Sequence, residues 1–420
     1  MMKQYGFSWS AALMAVGVGA LAWAGPEAVQ NVQKPALSGG PPVVFGFGGE
    51  GNQEFMLNGK PFQIRGAEMH PQRIPREYWR HRIRTAKAMG LNTIAFYVFW
   101  NDHEQPDGSF DFKTGNRDLE GFLKLCQEEG MWVLFRPGPY ACGEWDLGGL
   151  PHYLLKDPKA KLRTTEDAKF MKAQTRYLEA VARVAEPFLA KNGGPILMTQ
   201  LENEYGSYQR KDRKYMEWLK AFWSRKGFGP FYTSDGAGEH FLKGVVLPGV
   251  AVGLDPGLND GHWAVANKCN PGVPVFSSET YPGWLRHWGE GNWAPTPGVV
   301  NHVRWFMDKG RSFSLFVFHG GTNFGFSAGA NNGGPGKYQP DLTSYDYGSP
   351  VDEQGRMNEY YAQMREIILK KLPPEAAVPE PPADIPAMKR WNLPMSLTMP
   401  RGIRRECWSA RWIGGWGRRA

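Results

Sequence analysis

Residues 193–205 read "GGPILMTQLENEY". Two glycines and a proline make a turn, Ile196 begins an apolar run of strand length, and the run ends in Gln200, Glu202, Asn203 and Glu204. A strand apolar along its whole length belongs in a parallel sheet covered on both faces. Outward from it, seven more such runs occur: "FQIRGAEM", "NTIAFYVFW", "WVLFRPGPY", "PFYTSD", "GVVLPGVAVG", "VPVFSSET" and "FSLFVFHGG". Between most of them lie stretches with helical period, such as "EYWRHRIRTAKAMG" and "RDLEGFLKLCQEEG", each closed by glycine. A longer one spans about 166–191, and the interval 255–270 has the least periodicity. Eight buried strands alternating with helices over roughly 320 residues predict an α/β fold of the (β/α)8 barrel type. A doubly wound open sheet is the competing arrangement, but no G-x-G-x-x-G follows a strand.

In such a barrel the C-terminal strand ends face the active site. That places Asn203 and Glu204 at the mouth of the fourth strand. Glu279, in "VPVFSSETYPGW", takes the matching position on the seventh. Two carboxylates facing one pocket suit glycoside hydrolysis, in which one donates a proton to the leaving oxygen and the other attacks the anomeric carbon. Retention of configuration calls for a separation of about 5–5.5 Å. Like charges this close push one pKa up, while a cation and hydrogen bonds keep the other ionised. The competing reading of each acid alone is a strand-end cap or ion-pair partner.

Composition narrows the class of function. The aromatic content is 14%, with 17 tryptophans, which suits either sugar platforms or a large aromatic core. The net charge of +8 suggests a polyanion partner until its distribution is read. From residue 388 on, eight Lys or Arg stand against one acid, so the body of the chain is nearly neutral and nucleic-acid capture is excluded. Lys3, the apolar "AALMAVGVGALAWA" and the Ala22-Trp23-Ala24 pattern read as a signal peptide over 1–24. The expectation is a periplasmic or secreted protein with no membrane attachment after cleavage, a retained anchor being the alternative. Cys126, Cys142, Cys269 and Cys407 show no metal-ligand spacing, so no structural zinc is expected, and hydrolysis by a carboxylate pair calls for no metal or organic cofactor.

The stretch "GGPILMTQLENEYGSY" closely resembles the signature of glycoside hydrolase family 35, the β-galactosidases. So do "GAEMHPQRIPREYW", "GLNTIAFYVFWNDHE", "RPGPYACGEWDLGGLP", "SSETYPGWLRHWG" and "HGGTNFGFSAGA…SYDYGSP", in family order across about residues 55–360. The "GAEMHP" form is that of bacterial members. The resemblance implies a retaining exo-β-galactosidase acting on galactose-containing saccharides, with Glu204 as general acid/base and Glu279 as nucleophile. It further implies that Asn203 and Glu144 bind galactose hydroxyls and that Tyr97 and Tyr347 contact the sugar. Tyr281 and Arg73 would hold or charge-balance the nucleophile, and Cys142 would line the pocket without acting as a thiol. Glu202 reads as structural. His70 divides between a site role and a satisfied buried histidine, and Trp145 and Trp284 between sugar platforms and core. A carbohydrate-binding protein without turnover, or an enzyme impaired by truncation, is the alternative function.

The remaining organisation is a Gly/Pro-rich lead-in (25–52), the barrel (53–371), the Pro-rich linker "LPPEAAVPEPPADIPA" (372–387) and a basic tail (388–420). Relatives continue into β-sandwich domains. Here "MSLTMPRGIRRECWSARWIGGWGRRA" has neither strand alternation nor helical period, so the expectation is a disordered tail and missing sandwich domains.

Overall fold

A computed structural model describes residues 42–385 except 292 and 294. The expected signal peptide and basic tail lie outside the described residues. Eight parallel strands close into a barrel. They are β4 (Arg65–Met69), β5 (Thr93–Tyr97), β6 (Trp132–Arg136), β7 (Ile196–Gln200), β8 (Phe231–Gly236), β9 (Ala251–Asp255), β10 (Val275–Thr280) and β11 (Phe313–His319). Each pairs with the next, and β11 returns to β4 through Phe313–Arg65, Ser314–Gly66 and Leu315–Ala67. Nearly every residue of these strands is buried, which is why they read as continuous apolar runs. The chain therefore has the (β/α)8 barrel fold, and each of the eight runs picked out from the sequence overlaps one of its strands.

Helices α1 (Trp79–Ala88), α2 (Trp100–His103), α3 (Leu119–Glu128), α4 (Ala168–Ala185), α5 (Arg213–Arg225), α6 (Glu239–Leu242), α7 (Asp260–Cys269), α8 (Val299–Asp308) and α9 (Glu359–Lys371) fill the connections. Several start on a side-chain cap: Asp118 on α3, Asp167 on α4, Asp212 on α5, Asn259 on α7 and Asn358 on α9. Each cap satisfies an otherwise unpaired N–H and contributes about 1 kcal/mol. The long helical stretch stops earlier than its periodicity suggests. Pro187 lacks an N–H, so α4 ends at Ala185 and two 3-10 turns follow, at Glu186–Phe188 and Ala190–Asn192. The run "GVVLPGVAVG" likewise yields strand only from Ala251, because Pro248 and Gly249 (φ +71°) turn the chain first.

Periodicity gives no sign of the small sheet ahead of the barrel. Phe45–Gly48 (β1), Glu54–Leu57 (β2) and Lys60–Pro61 (β3) form a small antiparallel sheet ahead of the barrel. Phe55 packs edge-on against Phe276 of β10 at 5.6 Å, tying this sheet to the barrel core. The described part of the linker runs back along the barrel: Glu380 pairs with Arg365 of α9 at 3.2 Å, and the Ala383 carbonyl lies 3.1 Å from His81 Nε2. No described helix is long and apolar enough to cross a membrane.

Candidate active site

The chain leaving β7 keeps bonding to β8: the Leu201 N–H donates to the Tyr232 carbonyl and the Glu204 N–H to that of Ser234, both at 2.9 Å. Between them the backbone turns sharply, with Glu202 at φ +61° and Glu204 at φ +43°. Gly206 completes the turn so close to α6 that a Cβ there would sit 2.0 Å from the Phe241 carbonyl oxygen. Cys142 (φ +62°), Glu144 (φ +47°) and Tyr347 (φ +66°) adopt the same left-handed conformation. Each such residue costs about 1–3 kcal/mol, and such strain gathers where function needs an unusual side-chain aim.

The two carboxylates have opposite surroundings. Glu279 is buried at the end of β10 and is held by three donors. Arg136 Nη2 and the Tyr97 hydroxyl (3.1 Å) reach Oε1, and the Tyr281 hydroxyl reaches Oε2 at 3.0 Å. Burial pushes the Glu279 carboxyl up and Glu68 adds to that push, while Arg136 and Tyr281 pull it back. No donor among the described residues reaches the Glu204 carboxyl. Burial, then the charge of Glu279, then Glu144 and Asp235, push it up to about 8. The first proton to enter this pair therefore resides on Glu204, and Glu279 keeps the charge that its three donors favour.

Asn203 lies between them. Its Oδ1 accepts from Tyr97 (3.0 Å), Arg136 (2.9 Å) and Gln200 (2.9 Å), which fixes the amide and leaves the NH2 group free of any described partner. Glu144 accepts from the Tyr345 hydroxyl at 2.5 Å, and burial raises it to about 7. Cys142 is a free thiol whose burial, with Glu204 and Glu144 nearby, pushes it up, so it is no nucleophile. A cavity of about 440 Å³ opens beside Cys142 and Glu144, walled by Tyr140, Arg163, Tyr208 and Asp341. A larger recess of about 680 Å³ along α9 holds none of these groups. Tyr347 is buried behind Trp284, whose half-exposed ring stands 5.0 Å from Tyr281 at the mouth of the site.

The remaining sequence candidates fall into place by their bonds. Glu202 binds Arg163 at 2.9 and 2.5 Å, with the Tyr215 hydroxyl at 3.2 Å, so it is structural. Trp145 stacks on Phe99 at 4.2 Å and donates to Asn101, which makes it mainly core. His70 is a fully buried, bonded histidine. Arg73 corrects its expectation. It donates to Asn323, His70 and the Gly143 carbonyl and lies over Tyr345, on the Glu144 side of the pocket. The cation at Glu279 is Arg136, at the end of β6. Its motif "RPGPY" was in view, but a lone arginine closing an apolar strand gives no hint of a partner across the barrel. Glu68, Tyr345 and Asp255 also escaped notice. Asp255 accepts the hydroxyls of Ser234 (3.0 Å) and Ser278 (2.7 Å), and burial beside Glu279 and Glu204 pushes it well up.

A (β/α)8 barrel that presents one bonded and one unbonded carboxyl at the ends of its fourth and seventh strands has the layout of a glycoside hydrolase. Residues 54–371 match the family described as "Glycosyl hydrolases family 35", and the chain belongs to that family. The "Beta-galactosidase" of Xanthomonas manihotis is 39% identical over 363 residues, covering 84% of this chain and 60% of that protein. The "Beta-galactosidase" of Canis lupus familiaris is 39% identical over 335 residues, 78% of this chain and 49% of that one. The chain thus spans about half the length of the curated relatives it matches. Among solved structures, a beta-galactosidase from the psychrophilic Marinomonas ef1 superposes with TM-score 0.50 at 11% identity, over 74% of this chain and 59% of that one. A GH5_18 protein from Bifidobacterium longum does so with TM-score 0.50 at 13% identity, over 76% and 82%. At these identities the structural likeness concerns the fold.

Proposed function

We propose that this chain is a retaining β-galactosidase that removes terminal galactose from oligo- or polysaccharides. The observation that carries the reading is the unequal bonding of the two carboxyls, one raised to about 8 without a donor and one gripped by Arg136, Tyr97 and Tyr281. Glu204 gives its proton to the glycosidic oxygen as Glu279 bonds to the anomeric carbon and the leaving group departs. The resulting ester carries no charge, so the repulsion that raised Glu204 is gone and its pKa falls. Glu204 is then ionised and takes a proton from the water that attacks the same carbon, releasing Glu279. The free NH2 of Asn203 is available to a sugar hydroxyl, and the half-exposed Trp284 offers a flat apolar face to the next sugar. Galactose as the sugar rests on the names of the relatives. Export to the periplasm or medium rests on the leader-like residues 1–24.

The test is hydrolysis of an aryl β-galactoside followed by proton NMR. The β-anomer of galactose is expected to appear first and then mutarotate. An initial α-anomer would overturn the retaining mechanism, and no hydrolysis would overturn the enzyme reading.

A further inference from the structure

Behind Arg136 runs a chain of buried polar groups that the reaction as described does not use. Arg136 Nη2 serves Glu279 and Asn203, its Nε serves Gln200, and its Nη1 serves Glu68 on β4. Glu68 is fully buried, and its other oxygen lies 3.1 Å from His70 Nε2. His70 Nδ1 in turn lies 2.7 Å from Arg73 Nη1. An arginine can only donate, so Nδ1 must accept. The proton of the neutral ring is therefore on Nε2, and it points at Glu68. Burial, with Arg73 and Arg136 beside it, pushes the His70 pKa well down, in accord with this neutral tautomer. The rings of Tyr97, Phe99, Phe316 and Tyr345 pack around the imidazole at 5.1–6.1 Å and fix its plane.

We propose that Glu68 is a positioning residue for the nucleophile: it locks the Arg136 fork and takes a share of its charge, so Glu279 stays aimed and reactive. This rests on the role proposed above for Glu279. A guanidinium is planar, so bonding Nη1 to Glu68 and Nε to Gln200 sets the direction of Nη2. An arginine neutralised by Glu279 alone would stabilise the resting carboxylate and weaken its attack. Shared with Glu68, it orients the nucleophile without fully quenching it. Burial pushes Glu68 up to about 7 even against the pull of Arg136 and Arg73. Both of its neighbours present N–H groups to its oxygens, however, and neither can accept a proton from it, so the geometry holds the carboxylate form. Glu68 faces Arg136, Arg73, His70, Tyr97 and Tyr232. Besides Glu68, Glu279 faces Arg136, Tyr97, Tyr281, Glu204, Asp255, Glu144, Tyr232, Tyr347 and Cys142. Of all these charges, Glu68→Gln removes only one.

The experiment compares pH profiles of kcat/KM for an aryl β-galactoside in the wild-type chain and in Glu68→Gln. Glutamine keeps an acceptor for Arg136 but no charge, so Arg136 holds Glu279 more tightly. The acid limb is expected to move down by about one pH unit, and the rate at its plateau to fall about tenfold. The basic limb, set by Glu204, should stay in place. An unmoved acid limb, or both limbs moving together, would overturn the proposal. Glu68→Asp keeps the charge but retracts it, so kcat should fall with the acid limb unmoved; full activity in this variant would also overturn it. A wild-type chain without turnover would instead sink the proposed function. The 13C carboxyl titration of Glu279 then still decides the point, since its pKa must fall in Glu68→Gln.

Discussion

Glu204 and Glu279 are the same residue type a few strands apart, and their roles are divided by their neighbours. Glu279 has Arg136 and two tyrosine hydroxyls; Glu204 has no donor among the described residues, and burial with nearby negative charge outweighs the more distant pull of Arg136. Glu204→Ala should therefore slow poor leaving groups by several orders of magnitude while activated aryl galactosides lose far less, because only the former need protonation. Added azide should restore turnover in this variant and yield the β-galactosyl azide, whereas Glu279→Gly with azide should yield the α-azide. The opposite azide products would exchange the two assignments. On the acid role proposed for Glu204, whose carboxyl is raised to about 8, kcat/KM should fall as pH rises past about 8. Stopped assays between pH 6 and 10 read this limb, and a limb below pH 6 would contradict it.

The turn after β7 shows how an element aims a side chain. Glu204 is held left-handed between a backbone bond to Ser234 and the close approach of Gly206 to Phe241. Gly206→Ala puts a Cβ into that carbonyl and must move the turn. Loss of about 1–3 kcal/mol of stability is expected, with a drop in kcat larger than the change in KM. A thermal melt together with Michaelis kinetics tests both, and wild-type kcat would mean that the turn is not rigid. Further along the same loop, Asp212 caps α5 and also accepts from Thr164 and from the N–H and hydroxyl of Thr165. Asp212→Ala should cost about 2 kcal/mol, the upper end for a cap, because it frees the 160s loop as well. A Tm within a degree of wild type would show that these bonds contribute nothing net.

At the scale of the whole molecule, the raised carboxyls of the site should lower stability at high pH. Glu204 is raised to about 8, and Glu144 and Asp235 to about 7, by burial. In the unfolded chain such groups titrate near 4. Between those values the folded chain binds more protons than the unfolded one, so stability falls as pH rises from about 4 to 8. The Tm at pH 8.5 should lie below that at pH 5.5. Glu204→Gln should recover part of the difference, roughly 2–5 °C, while leaving the Tm at pH 4 unchanged. A variant no more stable than wild type at pH 8.5 would refute the link between catalysis and marginal stability at this residue.

The barrel was legible because its signal is local. Eight apolar runs separated by capped, amphipathic stretches can be read one window at a time, and strand-end position then points to Asn203, Glu204 and Glu279. The small β1–β3 sheet was not legible, since strands of two to four residues are too short for any period to show. Arg136, Glu68 and Asp255 were invisible for a different reason. Each is a polar residue in or at the end of a largely apolar strand, and its meaning comes from partners on other strands, 68 residues away for Glu68 and Arg136 and 143 for Arg136 and Glu279. Arg73 was assigned to the wrong carboxylate for that same reason. The sequence by itself determined that a barrel forms and which carboxyls stand at its mouth, because hydrophobic period and strand order are properties of the chain. Only closure of the barrel decided which carboxyl meets an arginine and which meets none, because pKa follows burial and charge in three dimensions.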